Sequence, residues 1–271
     1  MCTPLYRGLR PLRVTFAEGI TQMKYLPIAI ITTLISISSV SAAEKGKHLF
    51  ILSGQSNMVG LNPSISFTPT IEAALGKDNV IIVKDAAGGQ PIRRWYKKWD
   101  PELGKSETSK TPGDLYDRLM KKVTSAIKDN KLASVTFIWM QGESDAKGNA
   151  NLYSESLKGL LDQVRTDLGH KNIKFVIGRI SDYNNPRRYP QWDMIRAAQV
   201  EVADADPCGA WVDTDDLNDG VNKKGKQIKD DLHYSVEGYK TLGKRFAEKA
   251  IELIKNSAPQ ASSHRNRHQL G

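Results

Sequence analysis

Five stretches of the chain share one pattern, an apolar run that stops at a polar or glycine-containing segment. Residues 49–52 run into Ser53-Gly54-Gln55-Ser56-Asn57-Met58, residues 80–83 into Lys84-Asp85-Ala86-Ala87-Gly88-Gly89-Gln90-Pro91, and residues 135–140 into Gln141-Gly142-Glu143-Ser144-Asp145. Residues 175–180, interrupted by Gly178 and Arg179, lead to Ser181-Asp182-Tyr183, and residues 210–212 lead to Asp213-Thr214-Asp215-Asp216. Such runs mark strands buried on both faces, as in a parallel sheet. Between them apolar residues recur at three- and four-residue spacing: Leu115, Leu119, Val123 and Ile127; Leu157, Leu160, Leu161, Val164 and Leu168; Met194, Ala197, Ala198 and Val202; Tyr239, Leu242, Phe246, Ala250 and Ile254. These predict four amphipathic helices. Strand and helix alternate, which predicts an α/β fold whose five-stranded parallel sheet is covered on both faces. With no internal repeat or linker, residues 44–256 read as one domain.

In an open α/β sheet, ligands bind where the loops leave the carboxyl ends of the strands. Two of these loops are longer than compact connections usually are. Residues 86–114 hold Arg93, Arg94, Trp95, Tyr96, Lys97, Lys98 and Trp99, and residues 214–235 hold Asp230, Asp231 and His233.

The composition, 39% hydrophobic and 25% charged, is that of an ordinary globular protein. Its first 43 residues read differently. Lys24, an apolar core over residues 26–37 and the small residues Val40-Ser41-Ala42-Ala43 predict a signal peptide over residues 23–43, and hence a secreted or periplasmic protein. The core is too short to span a membrane, so no membrane association is expected after cleavage. Met23 would start this signal, making residues 1–22 a candidate upstream extension that is not translated. Residues 257–271 are polar without an apolar period and read as a disordered tail. Loss of the leader removes Arg7, Arg10, Arg13, Lys24 and Glu18, so the formal charge of +9 falls by four and rises by one. The remaining cations are scattered or in short pairs, with no aromatic-interleaved RNA motif and no helix-turn-helix pattern, which argues against nucleic-acid binding. Cys2 leaves with the leader, so Cys208 can make no intramolecular disulfide and reads as a small packing residue.

Ser56 ends the first strand pattern and is a candidate nucleophile. A serine hydroxyl needs a base to take its proton and usually a carboxylate to orient that base. Among five histidines, His48 begins a strand, His170 lies in a turn, and His264 and His268 lie in the tail, leaving His233. Asp230, three residues earlier, is spaced to reach the imidazole, and Asp231 to point elsewhere. Ser235 can cap the last helix. Donors for an oxyanion are the backbone N–H of Ser56, the unshielded amides of Gly88 and Gly89, and the Gln141 side chain. Glu143 reads as a structural partner that anchors loops. The rings of Trp95, Tyr96 and Trp99 either stack on sugar faces or close the long loop over the core.

Taken together, Gly54-Gln55-Ser56-Asn57-Met58, Gly88-Gly89-Gln90-Pro91-Ile92, Trp139-Met140-Gln141-Gly142-Glu143-Ser144-Asp145 and Asp230-Asp231-Leu232-His233 resemble the sialate O-acetylesterase-like and acetylxylan esterase branch (carbohydrate esterase family 6) of the SGNH hydrolase superfamily. The resemblance covers nearly the whole chain after the leader. It implies a flavodoxin-like three-layer α/β/α sandwich, Ser56 as nucleophile, His233 as base, Asp230 as its orienter, and Ser56, Gly89 and Gln141 as oxyanion donors. Gln55, Asn57, Gly88, Glu143, Trp95 and Trp99 become candidate substrate-binding or supporting residues. The chain has Gly-Gln-Ser where the wider superfamily commonly has Gly-Asp-Ser, and Gln141 where it has asparagine. Met58 breaks the Gly-x-Ser-x-Gly elbow and disfavours an α/β-hydrolase.

The expected activity is removal of O-acetyl groups from a glycan such as acetylxylan or O-acetylated sialic acid, with no metal or organic cofactor. Two other readings remain. Asp85, Glu143, Asp145, Asp230, Asp231 and His233 could hold a hard ion in a metal-dependent hydrolase, although a single histidine and no dense ligand motif weigh against it. A glycan-binding protein on an esterase scaffold would have no use for a nucleophile and its base.

Overall fold

The computed structural model describes residues 46–100 and 111–257. The expected leader, and the expected tail beyond Ser257, lie outside the described residues. Five parallel strands, β1 (Lys47–Gly54), β2 (Val80–Ala86), β3 (Leu132–Met140), β4 (Lys174–Gly178) and β5 (Gly209–Val212), form one sheet in the order β2-β1-β3-β4-β5. All five expected strands are present, and this is the flavodoxin-like order. Its direction reverses between β1 and β3, so the loops that follow these strands diverge and leave a crevice at their carboxyl ends.

Alternation along the strands sorts the side chains into two layers. On one face Phe50 meets Phe67 of α2 (Phe67–Leu75) edge-on at 5.7 Å, and Phe246 of α6 (Val236–Asn256) packs by Gly178 and Met140. On the other face lie Phe137 and Trp139, with α3 (Asp114–Ile127), α4 (Tyr153–Leu168) and α5 (Trp192–Asp204) on that side. The result is a three-layer α/β/α arrangement.

The structure adds elements that the periodicity does not show. A short helix α1 (Ser56–Gly60) follows β1, α2 precedes β2, and the long segment after β5 contains a small antiparallel hairpin, β6 (Gly220–Val221) with β7 (Gln227–Ile228). It also corrects the phase of α5. Met194 and Ala197 are exposed, and the buried face is Trp192, Ile195, Ala198, Gln199 and Val202. Gln199 disguises that face because it is polar yet fully buried. Its Oε1 accepts from the Ile180 amide (2.9 Å) and its Nε2 donates to the Gln141 carbonyl (2.7 Å), so it ties α5 to the ends of β3 and β4.

Candidate active site

Ser56 is the first residue of α1, immediately beyond the carboxyl end of β1. The approach is fixed by Gly54, whose φ of 143° and position against β3 leave no room for a side chain: a β-carbon there would lie 1.9 Å from the Met140 carbonyl oxygen. The next amide, Gln55, donates to that same carbonyl (2.8 Å), so the strand end cannot drift. The Gly88–Gly89 turn comes up beside the serine, with a β-carbon built on Gly88 falling 3.8 Å from Ser56 Cβ. Gly89 has φ 66° and open space before it. Among the described residues, no hydrogen bond uses the amides of Ser56, Gly88 or Gly89.

A buried polar layer supports this turn from below. The Gln141 side chain is fully buried, and its amide nitrogen contacts Gln90 O (3.1 Å), Gln55 Oε1 (3.2 Å) and Asp145 Oδ2 (2.6 Å). Gln55 Oε1 also accepts from the Ser144 amide (3.2 Å), and Asp145 Oδ2 from the Ile92 amide (2.9 Å). Gln90 donates to Gly88 O (3.0 Å) and accepts from Arg94, which pairs with Asp114. Gln141 and Gln55 are thus placed as pillars of the Gly-Gly turn, and the Gln141 amide, committed inward, is not open to the crevice in this structure.

Asn57 joins three pieces of the chain. Its Nδ2 donates to Glu143 Oε1 (2.9 Å) and to the carbonyl of Leu232 (3.1 Å), and its Oδ1 accepts from the Tyr239 hydroxyl of α6 (3.0 Å). Leu232 precedes His233, so this amide holds the histidine's loop against the serine's helix. His233 and Asp230 are exposed. The His233 amide donates to Asp231 Oδ1 (2.9 Å), the Asp230 amide donates to Asp219 Oδ1 (2.7 Å), and Asp230 has φ 47°. Among the described residues, neither the imidazole of His233, the hydroxyl of Ser56 nor the carboxylate of Asp230 makes a side-chain hydrogen bond. The structure brings the loops together without closing a hydrogen-bonded triad.

The two tryptophans of the aromatic segment are turned inward, and Tyr96 is half-buried. Trp95 is fully buried and meets Trp139 edge-on at 5.2 Å, and Trp99 is 5% exposed beneath Arg93. Both close the long loop over the core. Asp85 is buried in a pair with Arg118 and Lys122, and among the described residues no three His, Cys, Asp or Glu side chains are grouped to hold a metal ion.

A family model described as carbohydrate esterase, sialic acid-specific acetylesterase matches residues 59–252. The chain belongs to this family. It is also 24% identical over 212 residues to a probable carbohydrate esterase of Arabidopsis thaliana, covering 76% of this chain and 68% of that protein. The X-ray structure of that plant protein superposes with a TM-score of 0.58 at 19% identity, covering 76% and 98% of the two chains. A carbohydrate acetylesterase from Xanthomonas citri superposes with a TM-score of 0.57 at 17% identity, covering 77% of this chain and 56% of that one. These structural likenesses show the shared fold.

This member of the family buries two carboxyl groups just under the crevice. Burial pushes Glu143 up to about 7, against the pull of its backbone and Asn57 hydrogen bonds. Burial likewise pushes Asp145 up to about 7, against its bonds to Gln141 and Ile92 and the nearby Arg93 charge. Between pH 4.5, the ordinary value for Glu143, and about 7, the folded state keeps a proton that the unfolded state releases. Its contribution to stability therefore declines as pH rises through that window and levels off above it, by up to about 1.4 kcal/mol per pH unit. Denaturant unfolding of the wild type and Glu143→Gln at pH 5 and pH 8 isolates the effect. The stability of the wild type relative to the variant is expected to fall between the two, and a rise would show that Glu143 is ionised and paired.

Several supporting residues carry no sequence signal that separates them from their neighbours. Gln90, Arg94, Gln199 and Tyr239 become legible only through their partners. Asp145 supports the Gly-Gly turn through Gln141 and Ile92 instead of holding an ion, and its place in the Gln-Gly-Glu-Ser-Asp block is the one hint of that role.

Proposed function

We propose that the chain is a serine esterase that removes O-acetyl groups from a glycan, exported by the signal read in its leader. The observation that carries this is the grouping of Ser56 with the unpaired amides of Ser56 and Gly88–Gly89 at the switch point of the sheet, with the His233 loop fastened to the same helix by Asn57. Ser56 Oγ attacks the acetyl carbonyl carbon while His233 takes the hydroxyl proton. The negative oxygen of the tetrahedral intermediate is held by the free amides. Collapse breaks the ester C–O bond, and His233 returns the proton to the departing sugar hydroxyl. Water, deprotonated by His233, then releases acetate from Ser56. Asp230 turns onto the imidazole in this reading, because hydrogen bonds between catalytic groups often tighten only with substrate bound. Gln141 and Glu143 act beneath the site, as positioning residues.

The test is hydrolysis of 4-nitrophenyl acetate by the exported protein, together with labelling by a fluorophosphonate and peptide mass spectrometry. Turnover that survives EDTA, with one label on Ser56, supports the reading. Loss of turnover to EDTA with restoration by a divalent ion would make it a metal-dependent hydrolase. A folded protein that neither turns over nor takes the label would be a glycan-binding relative.

A further inference from the structure

The connection from β4 to α5 is a third long loop at the same edge of the sheet, and the chemistry above leaves it unused. It carries Tyr183 and Tyr189 and delivers the chain to Trp192, and the three rings meet edge-to-face: Tyr183–Tyr189 at 5.9 Å, Tyr183–Trp192 at 5.4 Å and Tyr189–Trp192 at 5.3 Å. Tyr189 and Trp192 are buried and Tyr183 is half-buried. The group is held stiffly, since Trp192 Nε1 donates to Ser181 O (2.7 Å) and Asn185 Nδ2 to the Tyr183 hydroxyl (3.2 Å).

In front of these rings opens a cavity of about 290 Å³, whose polar side is formed by Asp182, Asn184 and Asp193. This is the low end of ligand-pocket volumes, about 300–1,000 Å³, with room for a single sugar ring. The cavity adjoins the catalytic loops. Asp182 accepts from Asn218 Nδ2 (3.4 Å), and the Asn218 carbonyl accepts from the Asp231 amide (3.3 Å) in the His233 loop. On its other flank the Gln191 amide donates to Ala146 O (3.0 Å), just beyond the Glu143–Asp145 turn.

Tyr183 is the one ring of the three left half-buried, with Tyr189 and Trp192 backing it from inside, and a single ring beside clustered acceptors suits a ligand with an apolar C–H face and a hydroxyl-bearing edge, because carboxylates take strong hydrogen bonds from sugar hydroxyls. The charge narrows the choice. Asp182 and Asp193 are both acidic, and the cation in the lining, Arg196, is spent on Asp215 (2.7 and 2.9 Å) and Ile180 O (2.6 Å). Lys147 and Arg188 lie over the Tyr189 ring but do not line the cavity. A sugar bearing a carboxylate would meet Asp182 and Asp193 in the lining itself, with Arg196 already paired.

We infer that this cavity is a subsite for a neutral pyranose of the acetylated glycan, an inference that rests on the esterase reading above. The test is isothermal titration calorimetry of the full protein with xylotriose, cellotriose and 3′-sialyllactose, using wild type, Tyr183→Ala and Asp193→Asn. At least one neutral trisaccharide is expected to bind, 3′-sialyllactose at least tenfold more weakly. Tyr183→Ala is expected to lose about tenfold in affinity for the neutral sugar, and Asp193→Asn to narrow the gap to the sialylated one. Asp193 is exposed, so its variant keeps the test alive if Tyr183→Ala fails to fold. No binding of either neutral sugar, tighter binding of 3′-sialyllactose, or full affinity in both variants would overturn the inference. Wild-type hydrolysis of 4-nitrophenyl acetate, which contains no sugar, reports separately on the esterase.

Discussion

Ser56→Ala is expected to lower kcat on 4-nitrophenyl acetate by at least about 10³-fold, the scale seen when the nucleophile of a serine–histidine pair is removed. Its melting temperature should be unchanged. The Ser56 hydroxyl makes no hydrogen bond among the described residues, so its removal leaves no buried partner unpaired. His233→Ala should behave alike, because the side chain is exposed. The two changes act on one proton transfer, so the double variant should be no slower than the single ones. Multiplying losses would mean that serine and histidine serve different steps. Retention of a tenth of the activity by Ser56→Ala would remove the serine as nucleophile.

The sheet was legible because a strand covered on both faces is apolar at nearly every position, and none of the described helices has so short and continuous a run. The edge that gathers the candidate site followed from where those runs stop. What stayed hidden is of another kind. The face of α5 was misread because Gln199 sits among apolar residues and is buried through two backbone partners, which hydropathy scores as exposed. α2 escaped because it is nine residues long with Pro69 in its first turn, too short for a periodic signal. The indoles of Trp95 and Trp99 have the same composition whether they face sugar or core, and only the fold of the loop against Trp139 and Arg93 decides. Gln141 follows the same rule. A polar side chain at a strand end can point into the crevice or under it, and here three acceptors hold it under.

Asn57→Ala is expected to damage both stability and rate, and the two losses can be separated. Asn57 is 2% exposed and its amide satisfies the Glu143 carboxyl, the Leu232 carbonyl and the Tyr239 hydroxyl. Truncation leaves two buried groups, on Glu143 and Tyr239, and the half-buried Leu232 carbonyl short of a partner, each buried one costing about 1–3 kcal/mol if water cannot enter, so a net loss of about 2–4 kcal/mol is expected. The link to Leu232 is the hydrogen bond that fastens the His233 loop to the helix of Ser56. Freed from it, the imidazole spends less time within reach of the hydroxyl, and a displacement of about 1 Å can cost up to about 100-fold. A fall in kcat of about 10- to 100-fold with little change in KM is therefore expected, with slower fluorophosphonate labelling of Ser56. Leu119→Ala, on the buried face of α3, should lose comparable stability and keep its kcat below the melting transition. If Asn57→Ala loses no more kcat than Leu119→Ala, Asn57 only holds the fold together. If it loses far more, the residue after the serine sets the distance between nucleophile and base.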